Sequence, residues 1–521
     1  MRLQLDSFSY PDAATPALGK MDLEIRPGEC VLVAGASGSG KSTLGLVLAG
    51  VLPGQHRGTM TGSLELGGTV LTYAGSQPKR INHQYWSSQV GYAGQDPAAQ
   101  LSTVAPTVAE EIAFPLENAG MPRVRMQDRV RQIAEILGIS DLLERDPALL
   151  SGGQQRLVVI AASLANQPGL LVLDEPLAGL DFGARTTVMA ALGALRASGA
   201  GILILSQELG GAGQLAERVL LLNRGRPVFR GTPGDAARAV KEQGLPVFTG
   251  QSARSLAPRA VPRSSSEAGP VLSVSAVTFS YGWRKPRPWR RSPALPAAVD
   301  GISLGVEPGE RIAIAGANGS GKSTLLRLLA GLSYPQTGTV RVGGAVPGAA
   351  GTSAIMGTLL QQPREQLFER TVLREVAAGL PESGLTSEAA QQRATSALQR
   401  VGLADFAALH PYELSSAGQR LTALAAVLAQ RPRVLALDEP TVSLDRDGRD
   451  VLAAAIGTET ERGAAVLLVT HDLDFAYRTC TRLLVLSEGR LVADGPFHDV
   501  LSGHFTGGEG YGVQAPAGWT P

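Results

Sequence analysis

The segment Gly35-Ala-Ser37-Gly38-Ser-Gly40-Lys41-Ser42-Thr43 returns later in the chain as Gly316-Ala-Asn318-Gly319-Ser-Gly321-Lys322-Ser323-Thr324. Each copy follows a short apolar run, Cys30 to Ala34 or Arg311 to Ala315, and leads into a stretch of helical character. Strand, G-x-x-x-x-G-K-S, then helix is the pattern of a phosphate-binding loop. Its glycines let backbone N–H groups turn inward around an anion, and the helix N-terminus adds the positive end of its dipole. Lys41 and Lys322 are then expected to reach the β- and γ-phosphates, and Ser42 and Ser323 to hold Mg²⁺. One such pattern arises by chance; two, each behind an apolar strand, point to nucleotide binding.

A second motif repeats with the first. Leu173-Asp174-Glu175-Pro176 recurs as Leu437-Asp438-Glu439-Pro440. The copies lie 281 residues apart at the lysines and 264 apart at the aspartates, and 264 holds from Gly138/Gly402 through Pro147/Pro411 to Asp181/Asp445. A period this long, each unit with its own motif set, means one domain written twice and not a solenoid. Asp174 and Asp438 end apolar strands, which puts them at the carboxyl edge of a sheet, where phosphates lie and Mg²⁺ is held. Glu175 and Glu439 follow directly, placed to polarise an attacking water. Strands alternating with helices predict an α/β fold with a parallel sheet in each copy. The expected boundaries are a first domain over 1–245, a linker over 246–270 rich in Pro, Ser and Ala, a second domain over 271–504, and a flexible Gly- and Pro-rich tail over 505–521. An insertion before the second loop, Trp283 to Arg291, is basic and carries two Trp; it reads either as a solvated loop or as a surface for lipid headgroups or a partner.

Composition narrows the class. A chain of 521 residues is long enough for roughly two to four domains. Hydrophobic residues at 44% and charged residues at 18% are globular values, and a net charge of +1 argues against a general nucleic-acid binder. Two cysteines, Cys30 and Cys480, far apart in the chain, exclude a disulfide scaffold. No apolar run reaches the ~18 residues of a membrane-spanning helix. The opening Met1-Arg2-Leu3-Gln4-Leu5-Asp6 has no signal-peptide core, so the chain is expected to stay in the cytosol.

Leu150-Ser151-Gly152-Gly153-Gln154 opens a strongly apolar stretch and makes a second anion-binding helix start. With the loops and the Asp-Glu pairs, it closely resembles the nucleotide-binding domains of ABC transporters, over essentially the whole chain and twice. The resemblance implies two tandem P-loop (RecA-like) domains, each with an antiparallel β subdomain and a helical signature subdomain. It implies ATP and Mg²⁺ as cofactors, ATP hydrolysis, and an intramolecular dimer in which each nucleotide lies between one domain's P-loop and the other's signature. Nucleotide contacts would come from Gly35, Ser37, Gly38, Gly40, Lys41, Ser42 and Thr43, from Gly316, Asn318, Gly319, Gly321, Lys322, Ser323 and Thr324, and from Ser151, Gly152, Gly153, Gln154 and Ser415. Tyr10 and Tyr281, each in Phe-Ser-Tyr, match the family's adenine-stacking aromatic; a core tyrosine is the other reading. Gln95 and Gln361 match the Q-loop glutamine, a Mg²⁺ ligand alongside Ser42, Asp174, Ser323 and Asp438.

The surroundings of the Q-loops, Gln95-Asp-Pro-Ala98-Ala-Gln100-Leu101 and Gln361-Gln-Pro-Arg364-Glu-Gln366-Leu367-Phe368, look like those of energy-coupling factor (ECF) ATPases. The family's usual Asp three positions after the Q-loop Gln is replaced by Ala98 and Arg364. ECF ATPases energise uptake of a vitamin, a vitamin precursor or a transition-metal ion. They work at the cytoplasmic face of the membrane with a transmembrane coupling subunit and a substrate-binding membrane subunit, and touch neither the cargo nor nucleic acid. Two rivals stand beside this reading: a soluble tandem ABC protein of the translation-factor type, and the ATPase of a binding-protein-dependent importer.

The halves diverge in a paired way. His471 matches the family's switch histidine, but the spacing of 264 puts Gln207 at its counterpart. Leu150-Ser-Gly-Gly-Gln154 aligns with Leu414-Ser415-Ser416-Ala417-Gly418, or, after a one-residue shift, Ser416-Ala417-Gly418-Gln419. In the composite arrangement both defects fall in site one, with Lys41, Gln95, Glu175 and Gln207 opposite Ser415. Site two keeps Gln361, Glu439 and His471 opposite Ser151-Gly152-Gly153. Site two is expected to turn ATP over and site one to hold it; independent drift is the plain alternative.

Overall fold

The computed structural model describes residues 1–11, 13, 15–53, 58–75, 82–247, 269–282, 296–348, 355–380, 385–504, 509–510 and 513–516. Most of the expected linker, the insertion at 283–291 and most of the tail lie outside the described residues. The chain divides into two compact units, Met1–Gly250 and Gln251–Pro521, each an α/β domain.

In the first unit a six-stranded sheet runs in the order Arg226–Gly231, Arg218–Asn223, Cys30–Ala34, Gly201–Ser206, Leu170–Asp174, Val90–Ala93. All neighbours are parallel except the first pair. Strands covered on both faces must be apolar throughout, and Cys30–Ala34 and Leu170–Asp174 are buried at every position. The two faces feed separate cores. Cys30, Leu32 and Ala34 pack with the helices of the signature region, while Val31 and Val33 pack toward the antiparallel sheet. The second unit repeats the plan in the order Met356–Leu359, Val434–Asp438, Ala465–Val469, Arg311–Ala315, Arg482–Ser487, Arg490–Pro496. Here Ala313 and Ala315 face one core, and Ile312 and Ile314 the other.

Each unit also carries an antiparallel sheet, built on alternation. Arg2–Ser9 buries Leu3, Leu5 and Phe8 and pairs with Met21–Glu24 and Thr59–Leu66, Leu3 standing opposite Leu23 and Leu64. The first unit adds a fourth strand, Thr69–Gly75, and a helix, His83–Gln89, that the sequence reading did not anticipate. Trp86 anchors that helix: it is buried, and its indole N–H donates to the Leu48 carbonyl at 3.0 Å.

The helical regions expected near 105–165 and 370–430 form Val108–Asn118, Arg123–Ile136 and Gly152–Leu164, and Val372–Ala377, Ser387–Arg400 and Ser416–Ala429. All of these starts but that of Arg123–Ile136, which follows Pro122, are capped by side chains: Thr107 accepts from the Glu110 N–H, Thr371 from Arg374 and Thr386 from Ala389. Such caps satisfy backbone donors that a helix start leaves open. Both cysteines are buried and free, their thiols pushed up to about 12 by burial. Within the tail, Glu509–Gly510 pairs with Val513–Gln514, and Val513 is buried in the second unit's core.

Candidate functional site

Each unit gathers its motif residues at the carboxyl edge of its parallel sheet. In the first, the chain leaves Cys30–Ala34, turns through the glycine-rich loop and enters the helix Lys41–Leu48. Gly40 sits at φ 99 and its counterpart Gly321 at φ 101, a left-handed backbone that favours glycine. At Gly35 and Gly316 a Cβ would overlap the backbone carbonyl of Leu222 or Leu486. The lysine folds back over its own loop: Lys41 Nζ donates to the carbonyls of Gly35 and Ala36 at 2.7 and 2.8 Å, and Lys322 Nζ to those of Gly316 and Ala317 at 2.8 and 2.7 Å. The ammonium is thus seated in the loop that the sequence assigns to phosphate.

Asp174 and Asp438 close the neighbouring strands Leu170–Asp174 and Val434–Asp438. Burial raises both carboxyls, while the Ser42 or Ser323 hydroxyl and the Lys41 or Lys322 ammonium pull the other way. Asp438 Oδ1 is buried with no hydrogen-bond partner among the described residues, and the Ser323 hydroxyl stands beside the carboxyl. A buried carboxylate oxygen that nothing satisfies, next to a hydroxyl, is a donor set that suits a small hard cation such as Mg²⁺.

Glu175 and Glu439 follow with φ of 52 and 47. A non-glycine residue there costs about 1–2 kcal/mol and persists only where its surroundings impose it. Burial pushes both carboxyls up to about 7, opposed by Lys41 at Glu175 and, after the repulsion of Asp438, by Lys322 at Glu439. Glu175 Oε2 accepts from the Ser206 hydroxyl at 3.3 Å; Glu439 Oε2 accepts from the Thr470 hydroxyl and the His471 N–H, each at 3.4 Å. A buried carboxyl poised near neutrality beside a loop lysine is equipped to act as a general base.

The switch regions differ. His471 Nε2 lies 3.0 Å from Asn318 Oδ1 and 3.4 Å from Glu439 Oε1, joining the P-loop to the base. Asp472 then caps the helix Leu473–Thr479, and its other oxygen takes the Arg449 guanidinium at 2.7 Å. In the first unit Gln207 is buried at the matching place, and a single 3₁₀ turn, Gly211–Gln214, stands where that helix would be.

Helix caps settle the signature register. Ser151 caps Gly152–Leu164 and forms a reciprocal capping box with Gln154. Ser415 caps Ser416–Ala429 with its hydroxyl accepting from the Gly418 N–H at 3.2 Å. The ungapped alignment therefore holds: Ser416, Ala417 and Gly418 replace Gly152, Gly153 and Gln154, and the capping box is lost with the glutamine. A Cβ placed at Gly152 meets nothing within 4 Å, so the fold of its own unit does not require glycine there.

Tyr10 and Tyr281 hold matching poses. Each is edge-on to Phe8 or Phe279, and each hydroxyl lies 3.2 or 3.1 Å from Thr43 or Thr324 of the loop. Both rings are solvent-exposed, at 38% and 55%, which sets aside the core-tyrosine reading. The Q-loops are fastened from behind: Gln100 Oε1 accepts from the Gly94 N–H at 2.6 Å, and Gln366 Oε1 from the Leu360 N–H at 2.9 Å. Two residue pairs escaped the sequence reading. Glu111 and Glu375 capture the backbone N–H groups of Ser102 and of Phe368 and Glu369 after the Q-loops. Arg156 and Arg420, buried in the signature helices, bond to both the Q-loop and the glutamate. Arg156 and Arg420 share the 264-residue spacing, which is the signal that would have found them.

The ABC transporter sequence profile matches residues 18–178 and 299–442. The chain belongs to the ABC transporter family. A Streptomyces coelicolor relative named as an ABC transporter ATP-binding protein is 34% identical, across 96% of this chain and 94% of the relative. One of the same description from Methanosarcina acetivorans is 32% identical, across 94% and 89%. Among solved structures, ribosome-bound archaeal Pelota and ABCE1 gives a TM-score of 0.67 at 19% identity, across 95% of this chain and 79% of that one, a likeness of fold alone. Family membership implies ATP binding by both ABC domains.

Proposed function

We propose that this ABC protein hydrolyses ATP to energise an ECF-type importer, with turnover at the nucleotide site built on the second P-loop. The ECF reading is supported by the Q-loop surroundings in both halves, Gln95 to Leu101 and Gln361 to Phe368, and by the short 3₁₀ helix that Pro363–Gln366 forms there. Among the described residues no helix is long and apolar enough to cross a membrane, and the proposal gives the translocation path to a transmembrane coupling subunit and a substrate-binding membrane subunit. The cargo would be a vitamin, a vitamin precursor or a transition-metal ion.

The observation that carries the turnover assignment is that His471 joins Asn318 to Glu439, where the first half keeps the glutamate as Glu175 but has Ser37 and Gln207 in place of Asn318 and His471. Lys322 would release its loop carbonyls and turn to the β- and γ-phosphates. Ser323, Asp438 and Gln361 would hold Mg²⁺, which supplies charge neutralisation at the phosphates when bound. Glu439 would take the proton of the attacking water, with His471 donating to the γ-phosphate and Ser151 to Gln154 completing the site as the family resemblance implies. Matching residues Lys41, Ser42, Gln95, Asp174 and Glu175 would bind a second ATP, opposite the altered Ser415 to Gly418, and turn it over slowly or not at all.

Co-purification tests the assignment. Integral membrane subunits recovered with the tagged chain support the importer; recovery with ribosomes instead would turn the reading to the translation-factor type.

A further inference from the structure

The signature helix of each half carries one arginine with almost no access to solvent. Arg156 Nη1 donates to the Glu175 carbonyl at 2.7 Å and Nη2 to the Gln95 carbonyl at 2.9 Å. Arg420 repeats the fork, Nη1 to the Glu439 carbonyl and Nη2 to the Gln361 carbonyl, both at 3.0 Å. The acceptors are the main chains of the two residues that each half offers to the γ-phosphate and its metal. Each leaves its Nε buried and unpartnered, with the carboxylates of Glu175 and Asp174, or of Glu439 and Asp438, near the guanidinium. Burying a guanidinium is costly, a cost that the nearby carboxylates offset only in part, yet both halves keep it.

Its effect falls on a strained residue. The glutamate's N–H is pinned to the next strand, Glu175 to the Leu205 carbonyl and Glu439 to the Val469 carbonyl, each at 2.9 Å. The arginine pins the carbonyl on the other side of the same left-handed Cα, at φ 52 or 47. With both peptide groups held, the side chain can leave the strand end in one direction only. The second guanidinium nitrogen fixes the Q-loop carbonyl to the same point, so signature helix, Q-loop and glutamate are joined through one planar group.

We propose that Arg156 and Arg420 are positioning residues: each holds the glutamate's backbone in its left-handed turn and locks the Q-loop to the signature helix, so that a shift of either reaches the general base. The inference rests on the reading of Glu439 as the base. The bond pattern calls for a planar fork. A lysine has one ammonium on a flexible stem and no planar fork to hold the two carbonyls in a fixed relation.

Steady-state ATP hydrolysis of the full-length chain, with KM for ATP and the thermal midpoint measured alongside, tests this with Arg420→Met, Arg420→Lys and Glu439→Gln. Misplacing a catalytic group by an ångström costs about 10²-fold, so Arg420→Met is expected to lower kcat by about that factor while KM stays near its starting value. Arg420→Lys is expected to fall between Met and the parent. Parental kcat in Arg420→Met overturns the proposal, as does a loss that appears equally in kcat, KM and thermal midpoint, which would make the arginine a packing element only. If Arg420→Met does not fold, Arg420→Lys decides: reduced kcat at unchanged KM and midpoint supports the brace, and parental kcat refutes it. Glu439→Gln separates the two readings, since activity retained there removes the base assignment itself, whereas activity lost there and kept in both Arg420 variants removes only the brace.

Discussion

Gly152→Ser copies into the first signature the residue that the second carries at Ser416, and the structure separates its effects on folding and on activity. Gly152 is the first residue of the helix Gly152–Leu164, and a Cβ there meets nothing within 4 Å. Its φ is not in the left-handed region, so no backbone strain follows. Replacing glycine in a helix gains at most about 0.5 kcal/mol, so stability should stay level or rise slightly. Function is another matter. If the N–H groups of this helix start meet a γ-phosphate, a hydroxymethyl between them and the anion displaces the contact. Losing one preorganised donor of this kind costs about 10²–10³-fold in kcat, or about 3–4 kcal/mol of transition-state stabilisation. Urea denaturation and steady-state ATP hydrolysis on the same preparation give both numbers. Turnover at the parental rate would overturn this, because a serine at this place would then be no defect in the site that the second signature serves. A loss of stability of several kcal/mol would refute it differently, by showing that the fold itself needs that glycine.

Other consequences are more local. Gly316→Ala drives a Cβ into the Leu486 carbonyl and should abolish nucleotide binding to the second P-loop and lower stability by about 2 kcal/mol or more, read by nucleotide titration and thermal melting. Glu439 is held at about 7 and serves only when deprotonated, so hydrolysis should be full above that pH and fall as pH drops through it, a profile that Glu439→Gln should erase. Burial, Asp438 and Asp472 push this carboxyl up, and Lys322 and the His471 N–H oppose them. His471→Gln gives the second half the switch residue of the first and should lower kcat by up to about 10²-fold with ATP binding retained. Asp445→Ala removes the cap that accepts from the Gly448 N–H at 3.0 Å and should cost about 1 kcal/mol in the urea midpoint without changing KM.

Much of the architecture was readable because it is local. A P-loop is a contiguous string whose glycines, lysine and serine act within one turn of chain, and short apolar runs such as Val434 to Leu437, ahead of Asp438, announce a strand covered on both faces. The recurrence of the phosphate loop and the Asp-Glu pair, 281 and 264 residues on, set the domain count without any contact information. Contacts between distant residues were harder to see. Arg156 takes its meaning from carbonyls 19 and 61 residues away, and nothing in its immediate neighbours marks it. The left-handed turn at Glu175 and Glu439 was equally hidden, since glutamate carries no preference for it. The strand Thr69–Gly75 and helix His83–Gln89 were missed because the second half gave no second example to align. Two registers for the altered signature were open, one keeping the spacing of 264 and one closer to the consensus; the cap from Ser415 to the Gly418 N–H chose between them.

Unequal duty between two similar sites is tested by hydrolysis of the purified chain with its membrane subunits, with Glu175→Gln and Glu439→Gln compared with the parent. Removing a general base costs about 10²–10⁴-fold. Glu439→Gln should lose activity on that scale and Glu175→Gln should keep most of it. Equal and complete loss in both variants, or loss in Glu175→Gln alone, would contradict it.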